Sequence, residues 1–362
     1  MNNLKFFIGL LSFFFSASIA SSQVTKVETP GPSGIKFKSV IDSQEYILYI
    51  HCPENFRKTN KKYPVLYVLD GQWSFSMTKD IYYGQYADEL VPDIMIIGIT
   101  WPGDYDASRA RDFTPTHVDD FPTSGNAPKF LSVIKNEIVP YIDSTYPADK
   151  SNRALCGGSL GGLFALYTLF HDPALFNRYI VMGPSLSYDN ELTFKFEKIF
   201  AAKNRELNAK IFLSSGEYEE AMDFSNGFTR FINQLKTTNY KGLELESLIV
   251  DKMGHVGEGA YATSRGLQFI YGKPELIIDT VSLDRYTGLY KLNEDSIRIT
   301  RSGNSLFVNV NGGKLKLYAE TAESFYAKGG PGKVQFIKDN KGKVTGYNYV
   351  LKDMTLFFKK SD

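Results

Sequence analysis

Hydrophobic positions along the chain follow two regimes. From Gly34 to about Ile270, compact apolar runs alternate with longer amphipathic or wholly apolar stretches. The runs Gly34–Ile41, Glu45–Cys52, Pro64–Leu69, Asp93–Ile99, Arg153–Gly158, Arg178–Met182, Lys210–Ser215 and Leu243–Val250 read as strands. Stretches such as Pro128–Tyr141, Leu160–Phe170, Glu191–Ala202 and Asp223–Thr237 read as helices. The first two strands form an antiparallel edge hairpin around Asp42-Ser43, and the rest alternate with helices. Such alternation predicts an α/β architecture, a mostly parallel sheet flanked by helices on both faces.

After Tyr271-Gly-Lys-Pro274 helical periodicity stops. Short strands come next: Ser296–Arg301, Ser305–Val310, Lys314–Ala319, Ser324–Ala327, Val334–Lys338, Thr345–Val350 and Thr355–Lys359. Gly312-Gly313 and Asp339-Asn-Lys-Gly342 are hairpin signals. This texture predicts a small antiparallel β-barrel or sandwich. The expected division is a leader at 1–22, an α/β unit at 23–272, a linker at 273–283 and an all-β unit at 284–362. The aromatics of the last unit (Phe307, Tyr318, Phe325, Tyr326, Phe336, Tyr347, Tyr349, Phe357 and Phe358) are expected to form its core, with carbohydrate or partner binding as the sharper alternative.

The leader changes the compartment. Lys5, the apolar run Phe6 to Phe15 and the small residues around Ala20 make a secretory signal peptide, too short for a membrane span. No cysteine follows that run, so a lipid anchor is not indicated, and the mature protein is expected in the periplasm or outside the cell. No later run reaches membrane-spanning length. A net charge of +1 on 362 residues gives no field directed at nucleic acid. The two cysteines, Cys52 and Cys156, make no disulfide framework and are expected to be small buried residues. No Cys/His cluster has metal-ligand spacing and no phosphate loop is present, so neither metal nor cofactor is expected.

Candidate chemistry centres on Arg153-Ala-Leu-Cys-Gly-Gly-Ser-Leu-Gly-Gly162. Here Gly157-x-Ser159-x-Gly161 lies between a strand-like and a helix-like run, the pattern of a turn that holds its serine up at the end of a sheet. A serine hydroxyl needs a base, and the base needs a partner that fixes its tautomer. The chain order for this kind of turn is serine, acid, histidine. Of four histidines, His51 and His117 precede the serine, and His171 closes the following helix. His255, on a glycine-flanked loop after a strand, remains as the base. The acid is expected after Lys210–Ser215; Glu219 is favoured, with Glu217 and Asp223 as alternatives. Backbone N–H groups of Leu160 and Gln72 are the expected oxyanion donors, with Gly71 or Trp73 as alternatives to Gln72.

Several segments carry a resemblance. Tyr63-Pro-Val-Leu-Tyr-Val-Leu-Asp-Gly71, Ile97-Gly-Ile-Thr with Arg109-Ala-Arg-Asp-Phe-Thr-Pro115, the serine turn, and Arg178-Tyr-Ile-Val-Met-Gly-Pro-Ser-Leu186 together resemble the esterase D-like branch of the α/β-hydrolases. That branch includes feruloyl, acetyl-xylan and siderophore esterases, and the siderophore-esterase-like subgroup is the nearest likeness, over roughly residues 30–270. The resemblance implies an α/β-hydrolase fold with the catalytic serine at Ser159 and the histidine at His255. A departure stands at Ser187-Tyr188, where many relatives carry tryptophan. The tail from Tyr286-Thr-Gly-Leu-Tyr290 is similar to a small β domain appended to some exported serine hydrolases.

An exported serine carboxylester hydrolase, working through an acyl-enzyme, is therefore expected. Its substrate is a small-molecule siderophore ester or a carbohydrate-linked acyl ester. Arg109 and Arg111 would suit an anionic substrate, although Arg111 has Asp112 beside it as a bracing partner. Trp101 and Tyr188 would stack on a ring or pack a lid. A catalytically silent binding scaffold and an acyltransferase to a sugar acceptor are the competing classes.

Overall fold

The computed structural model describes residues 32–361, apart from 55, 221–226, 274, 311–312 and 352–353. The signal-peptide reading of residues 1–22, Asp223 as an acid and Gly312 in a turn lie outside these residues. Strands β1 (Gly34–Lys38), β2 (Glu45–His51), β3 (Tyr63–Val68), β4 (Met95–Thr100), β5 (Ala148–Gly158), β6 (Arg178–Met182), β7 (Glu206–Gly216) and β8 (Lys241–Val250) form one sheet. Their spatial order is β1-β2-β4-β3-β5-β6-β7-β8. The β1–β2 and β2–β4 pairs are antiparallel, and every other pair is parallel.

Parallel neighbours require crossovers, and helices supply them. They are α1 (Gly71–Ala87), α2 (Tyr105–Phe113), α3 (Ala127–Val133), α4 (Val139–Thr145), α5 (Leu160–His171), α6 (Tyr188–Lys203), α7 (Glu217–Glu220), α8 (Phe228–Thr238) and α9 (Gly259–Tyr271). A π-helical segment, Ile134–Ile138, joins α3 to α4. Successive strand residues face opposite sides of the sheet, so each buried strand feeds two cores. Val65 and Tyr67 of β3 join Leu155, Val181, Phe113, Phe130 and Phe164 in one cluster. Leu66 and Val68 turn the other way, onto Phe75 and Tyr82 of α1 and Leu267 and Ile270 of α9. Because both faces are covered, these strands read as near-continuous apolar runs.

A short helix, α10 (Thr280–Asp284), leads into eight antiparallel strands. They are β9 (Gly288–Leu292), β10 (Asp295–Ser302), β11 (Ser305–Val310), β12 (Gly313–Ala319), β13 (Ser324–Tyr326), β14 (Lys333–Lys338), β15 (Val344–Val350) and β16 (Thr355–Ser361). They close into a barrel because β9 pairs with both β10 and β16. Tyr286, Tyr290, Phe325, Phe336, Tyr347 and Phe358 fill its interior. Phe357, expected in that core, is exposed instead, since alternation along β16 turns its neighbour Phe358 inward.

The barrel meets the far end of α1. The N–H of Gly329 donates to the carbonyl of Asp88 (3.0 Å), Lys273 pairs with Glu89, and the N–H of Leu276 donates to the carbonyl of Ala319 (3.1 Å). Among the described residues no helix is long and apolar enough to cross a membrane. Both cysteines are free thiols; Cys156 is buried, and its pKa is pushed up to about 12 by that burial.

Candidate active site

Ser159 sits between β5 and α5 with φ 57° and ψ −120°, a conformation a side-chain-bearing residue adopts only under constraint from its surroundings. The constraint is local packing. A Cβ on Gly157 would stand 2.5 Å from the carbonyl oxygen of Gly161, so position 157 must be glycine. At Gly161 itself a Cβ would meet only ordinary contacts, beginning at 3.4 Å. The second close approach falls on Gly162, 3.0 Å from Cα of Pro184. On the helix side the steric demand thus falls on Gly162 and not on Gly161 of the motif.

The strand after the elbow locks against it. The Ser159 N–H donates to the carbonyl of Met182 (2.9 Å), and the Ser185 N–H donates to the carbonyl of Ser159 (3.2 Å). Between these anchors lies Gly183, with φ 44°. A Cβ on Gly183 would stand 3.0 Å from Nδ1 of His255, 3.1 Å from Oε2 of Glu219 and 3.0 Å from Oε1 of Glu258. Three titratable groups therefore crowd around a glycine that is pinned to the elbow.

Two of them are bonded. Nδ1 of His255 lies 2.7 Å from Oε2 of Glu219, and the other carboxylate oxygen accepts from the N–H of Gly216 (2.7 Å). Glu219 is buried and reaches this position because α7 turns immediately after β7. Glu217, the alternative acid, faces outward and accepts from the N–H of Lys252 (2.7 Å), bracing the histidine loop from outside. That loop is also tied by the Tyr218 N–H to the carbonyl of Met253 (2.9 Å).

The N–H groups at the starts of α1 and α5 point out of their helices, as first-turn donors must. Asp70, at φ 54°, precedes α1 and accepts through its carbonyl from the N–H of both Trp73 and Ser74 (3.0 Å each), which leaves the N–H of Gln72 without an acceptor among the described residues. Leu160 opens α5 and has no backbone acceptor there either. The Gln72 side chain is held by Thr100, whose hydroxyl donates to it at 2.5 Å.

With this geometry the chain can be compared with known proteins. The family model described as "Putative esterase" matches residues 40–238, more than half of the chain. The chain belongs to that family. It is a carboxylic ester hydrolase. The ferri-bacillibactin esterase BesA of Bacillus subtilis is 26% identical over 259 residues, 66% of this chain and 89% of that one. The siderophore triacetylfusarinine C esterase of Aspergillus fumigatus is 27% identical over 204 residues, 53% and 70% of the two chains. Among solved structures, the BES protein of Bacillus cereus superposes with a TM-score of 0.61 at 26% identity, covering 69% of this chain and 98% of its own. Almost all of that protein is accounted for, while a substantial part of this esterase has no counterpart in it.

The remaining expectations divide. Arg109 forms a two-pronged pair with Asp70 (2.6 and 3.1 Å), lies over the Trp73 ring (5.4 Å to its centroid), and lowers the proton affinity of His255 by its charge. Burial pushes the Asp70 carboxyl up, and Arg109 pulls it back. Arg111 is a brace: it grips both oxygens of Asp112 (2.7 and 2.8 Å) and reaches Gln44. Trp101 is corrected by its burial, 1% exposed, with Nε1 donating to Asp112 (2.7 Å) and its ring against Phe113; no substrate ring can reach it. Tyr188 is likewise buried, its hydroxyl donating to the carbonyl of Thr116 (2.6 Å).

The aromatic surface beside the elbow is instead Trp73, 55% exposed, edge-to-face with Tyr105 at 6.0 Å. From sequence Trp73 is legible only as a neighbour of the oxyanion loop, and Tyr105 carries no signal. Glu258 also escapes sequence reasoning, although its position three residues after the histidine is a signal. The hydrogen bond to Glu219 raises the His255 pKa above its ordinary value, partly opposed by burial.

Proposed function

We propose that this esterase is an exported serine hydrolase of siderophore esters, acting through Ser159, His255 and Glu219. The observation that carries the reading is the 2.7 Å His255–Glu219 pair packed on Gly183, inside the segment bonded to the Ser159 elbow. With Nδ1 committed to the carboxylate, Nε2 is the nitrogen that takes the serine proton. Ser159 Oγ attacks the ester carbonyl carbon while its proton passes to His255. The oxyanion forms against the N–H groups of Gln72 and Leu160. Collapse expels the alcohol, which takes the proton from His255, and leaves an acyl-enzyme. Water then adds by the same path and frees the acid.

The substrate class rests on two supports. Relatives covering much of this chain are named for siderophore esters. Beside the elbow, Arg109 and the exposed Trp73–Tyr105 pair combine cationic and aromatic surface, which suits an anionic or aromatic acyl group. The division at 23–272 and 284–362, and export directed by residues 1–22, belong to the same reading.

A panel assay tests it. Wild type is expected to cleave a ferric tricatecholate trilactone well above methyl ferulate and acetylated xylan, and Ser159→Ala to lose about 10⁴-fold or more in kcat/KM. Preference for ferulate or xylan would move the substrate to plant or algal polysaccharide. Failure of a fluorophosphonate to label Ser159 in folded protein would mark a silent scaffold.

A further inference from the structure

Glu258 is the one member of the Gly183 cluster that the mechanism above does not use. It stands at the start of α9, three residues after His255, and is 1% exposed. Neither carboxyl oxygen completes a hydrogen bond among the described residues. The Ser214 hydroxyl and the Gly183 N–H lie close enough to favour the charged form of Glu258, but the Gly183 N–H is given to the carbonyl of Ser214 (2.9 Å) and neither completes a bond to Glu258. A buried carboxyl whose donors complete no full hydrogen bond is costly as an anion, and more so beside a second carboxylate. Oε1 of Glu258, Oε2 of Glu219 and Nδ1 of His255 all lie about 3 Å from the one point where a Gly183 Cβ would be.

We propose that Glu258 is a positioning residue of the hydrolytic centre: a second carboxyl, sealed from water, whose charge state sets the basicity of His255 across the space that Gly183 leaves open. The inference rests on the assignment of His255 as the base. Burial, reinforced by the charge of Glu219, pushes the Glu258 carboxyl up to about 8, while Ser214, His255 and the Gly183 N–H act in the other direction. Of the groups facing the cluster, Glu219 and Glu258 raise the proton affinity of His255, and Arg109 lowers it. Near neutral pH Glu258 is therefore the acid form and adds no charge to the pair. As pH rises through its ionisation it adds a second negative charge that favours the imidazolium formed during acyl transfer. His255 and Glu258 each act on the other's proton, so they titrate as a coupled pair.

The test compares wild type with Glu258→Gln, which keeps the shape and fixes the neutral form. On p-nitrophenyl acetate, wild-type kcat/KM is expected to rise from the acid limb to a plateau and then show a second, several-fold rise near pH 8; E258Q keeps the first and lacks the second. A carboxylic-acid stretch in the infrared spectrum of wild type at neutral pH should titrate away near pH 8 and be missing from E258Q. Asp70 and Asp112 are also pushed up by burial, so the band is assigned by that difference. The stability sign comes from linkage. A carboxyl raised in the folded state costs stability once pH exceeds its ordinary 4.5, and the cost grows until about 8. The Tm of E258Q should therefore exceed that of wild type by a margin that opens across this window. Superimposable pH profiles, a shared infrared band or a constant Tm gap would each overturn the inference. Full activity in Ser159→Ala would instead remove the base assignment and leave the infrared and Tm results standing.

Discussion

The sheet and the barrel treat their loops in opposite ways. In the sheet, β3 to β8 run parallel, so every strand delivers its carboxyl-end loop to the same side. Gln72 follows β3, Arg109 follows β4, Ser159 follows β5, Gly183 follows β6, Glu219 follows β7 and His255 follows β8. Residues scattered over nearly two hundred positions thus gather at one end. In the barrel, antiparallel strands send alternate loops to alternate ends, and the interior is filled by rings. The barrel also sits at the wrong end for chemistry. α1 starts at the proposed oxyanion donor Gln72 and α9 at Glu258, and Gly329 and Tyr326 of the barrel bond residues just beyond their last turns, Asp88 and Lys273. A 17-residue helix such as α1 spans about 25 Å, which separates the two regions. Convergence of loops makes a site; closure of a barrel makes a packed body.

The largest effect that would sharpen this contrast is at Glu219. Glu219→Gln keeps the side-chain shape but removes the charge that orients His255. A fall in kcat of about 10²- to 10⁴-fold is expected. The pH profile carries a second signature. With His255 as the proposed base, activity needs neutral imidazole and is expected to fall as pH drops through the His255 pKa, which Glu219 holds above the ordinary value. Removing that charge moves the acid limb to lower pH while lowering the plateau. Profiles of kcat/KM for both proteins would check it; an unmoved limb would place the acid elsewhere.

A smaller effect is expected at Trp73. Its ring carries Arg109 on one side and meets Tyr105 edge-on, but no catalytic atom depends on it. Trp73→Ala should raise KM by about tenfold for an aromatic acyl ester and leave an acetyl ester nearly unchanged, in line with the worth of one aromatic contact. Equal losses on both substrates would mean that the ring supports the oxyanion loop instead of the substrate.

The order of these effects tracks what is legible in the sequence. Arg178–Met182 is bounded to the residue, because a strand buried on both faces is a short apolar run with abrupt ends. Ser159 and His255 stand on the kinds of element expected to carry them, since glycine spacing and chain order are local signals. Three features are not local. Glu219 differs from Glu217 only in which way a single helical turn directs it. Trp101 and Trp73 exchange roles because burial depends on surroundings set far along the chain, here Asp112 for Trp101 and open solvent for Trp73. β9 is invisible in the sequence because its identity as a strand rests on pairing with β10 and with β16 near the end of the chain.

The smallest catalytic effect should come from the strongest blow to the barrel. Phe336 stacks on Tyr286 at 4.2 Å and meets the rings of Phe325, Tyr290 and Tyr347, so it is the hub of that core. Phe336→Ala should cost about 3–5 kcal/mol of local stability, because a ring-sized cavity opens among side chains that cannot collapse around it. Yet kcat/KM on a small soluble ester should stay within about twofold, since distant sites without shared partners act independently. Calorimetry and kinetics on the same preparation would read both quantities. Lost turnover in a protein whose sheet remains folded would show that α1 or α9 transmits strain from the barrel to the Gly183 cluster. The separation of a chemical end from a packed end would then be wrong, because the helices spanning the two would be levers instead of spacers.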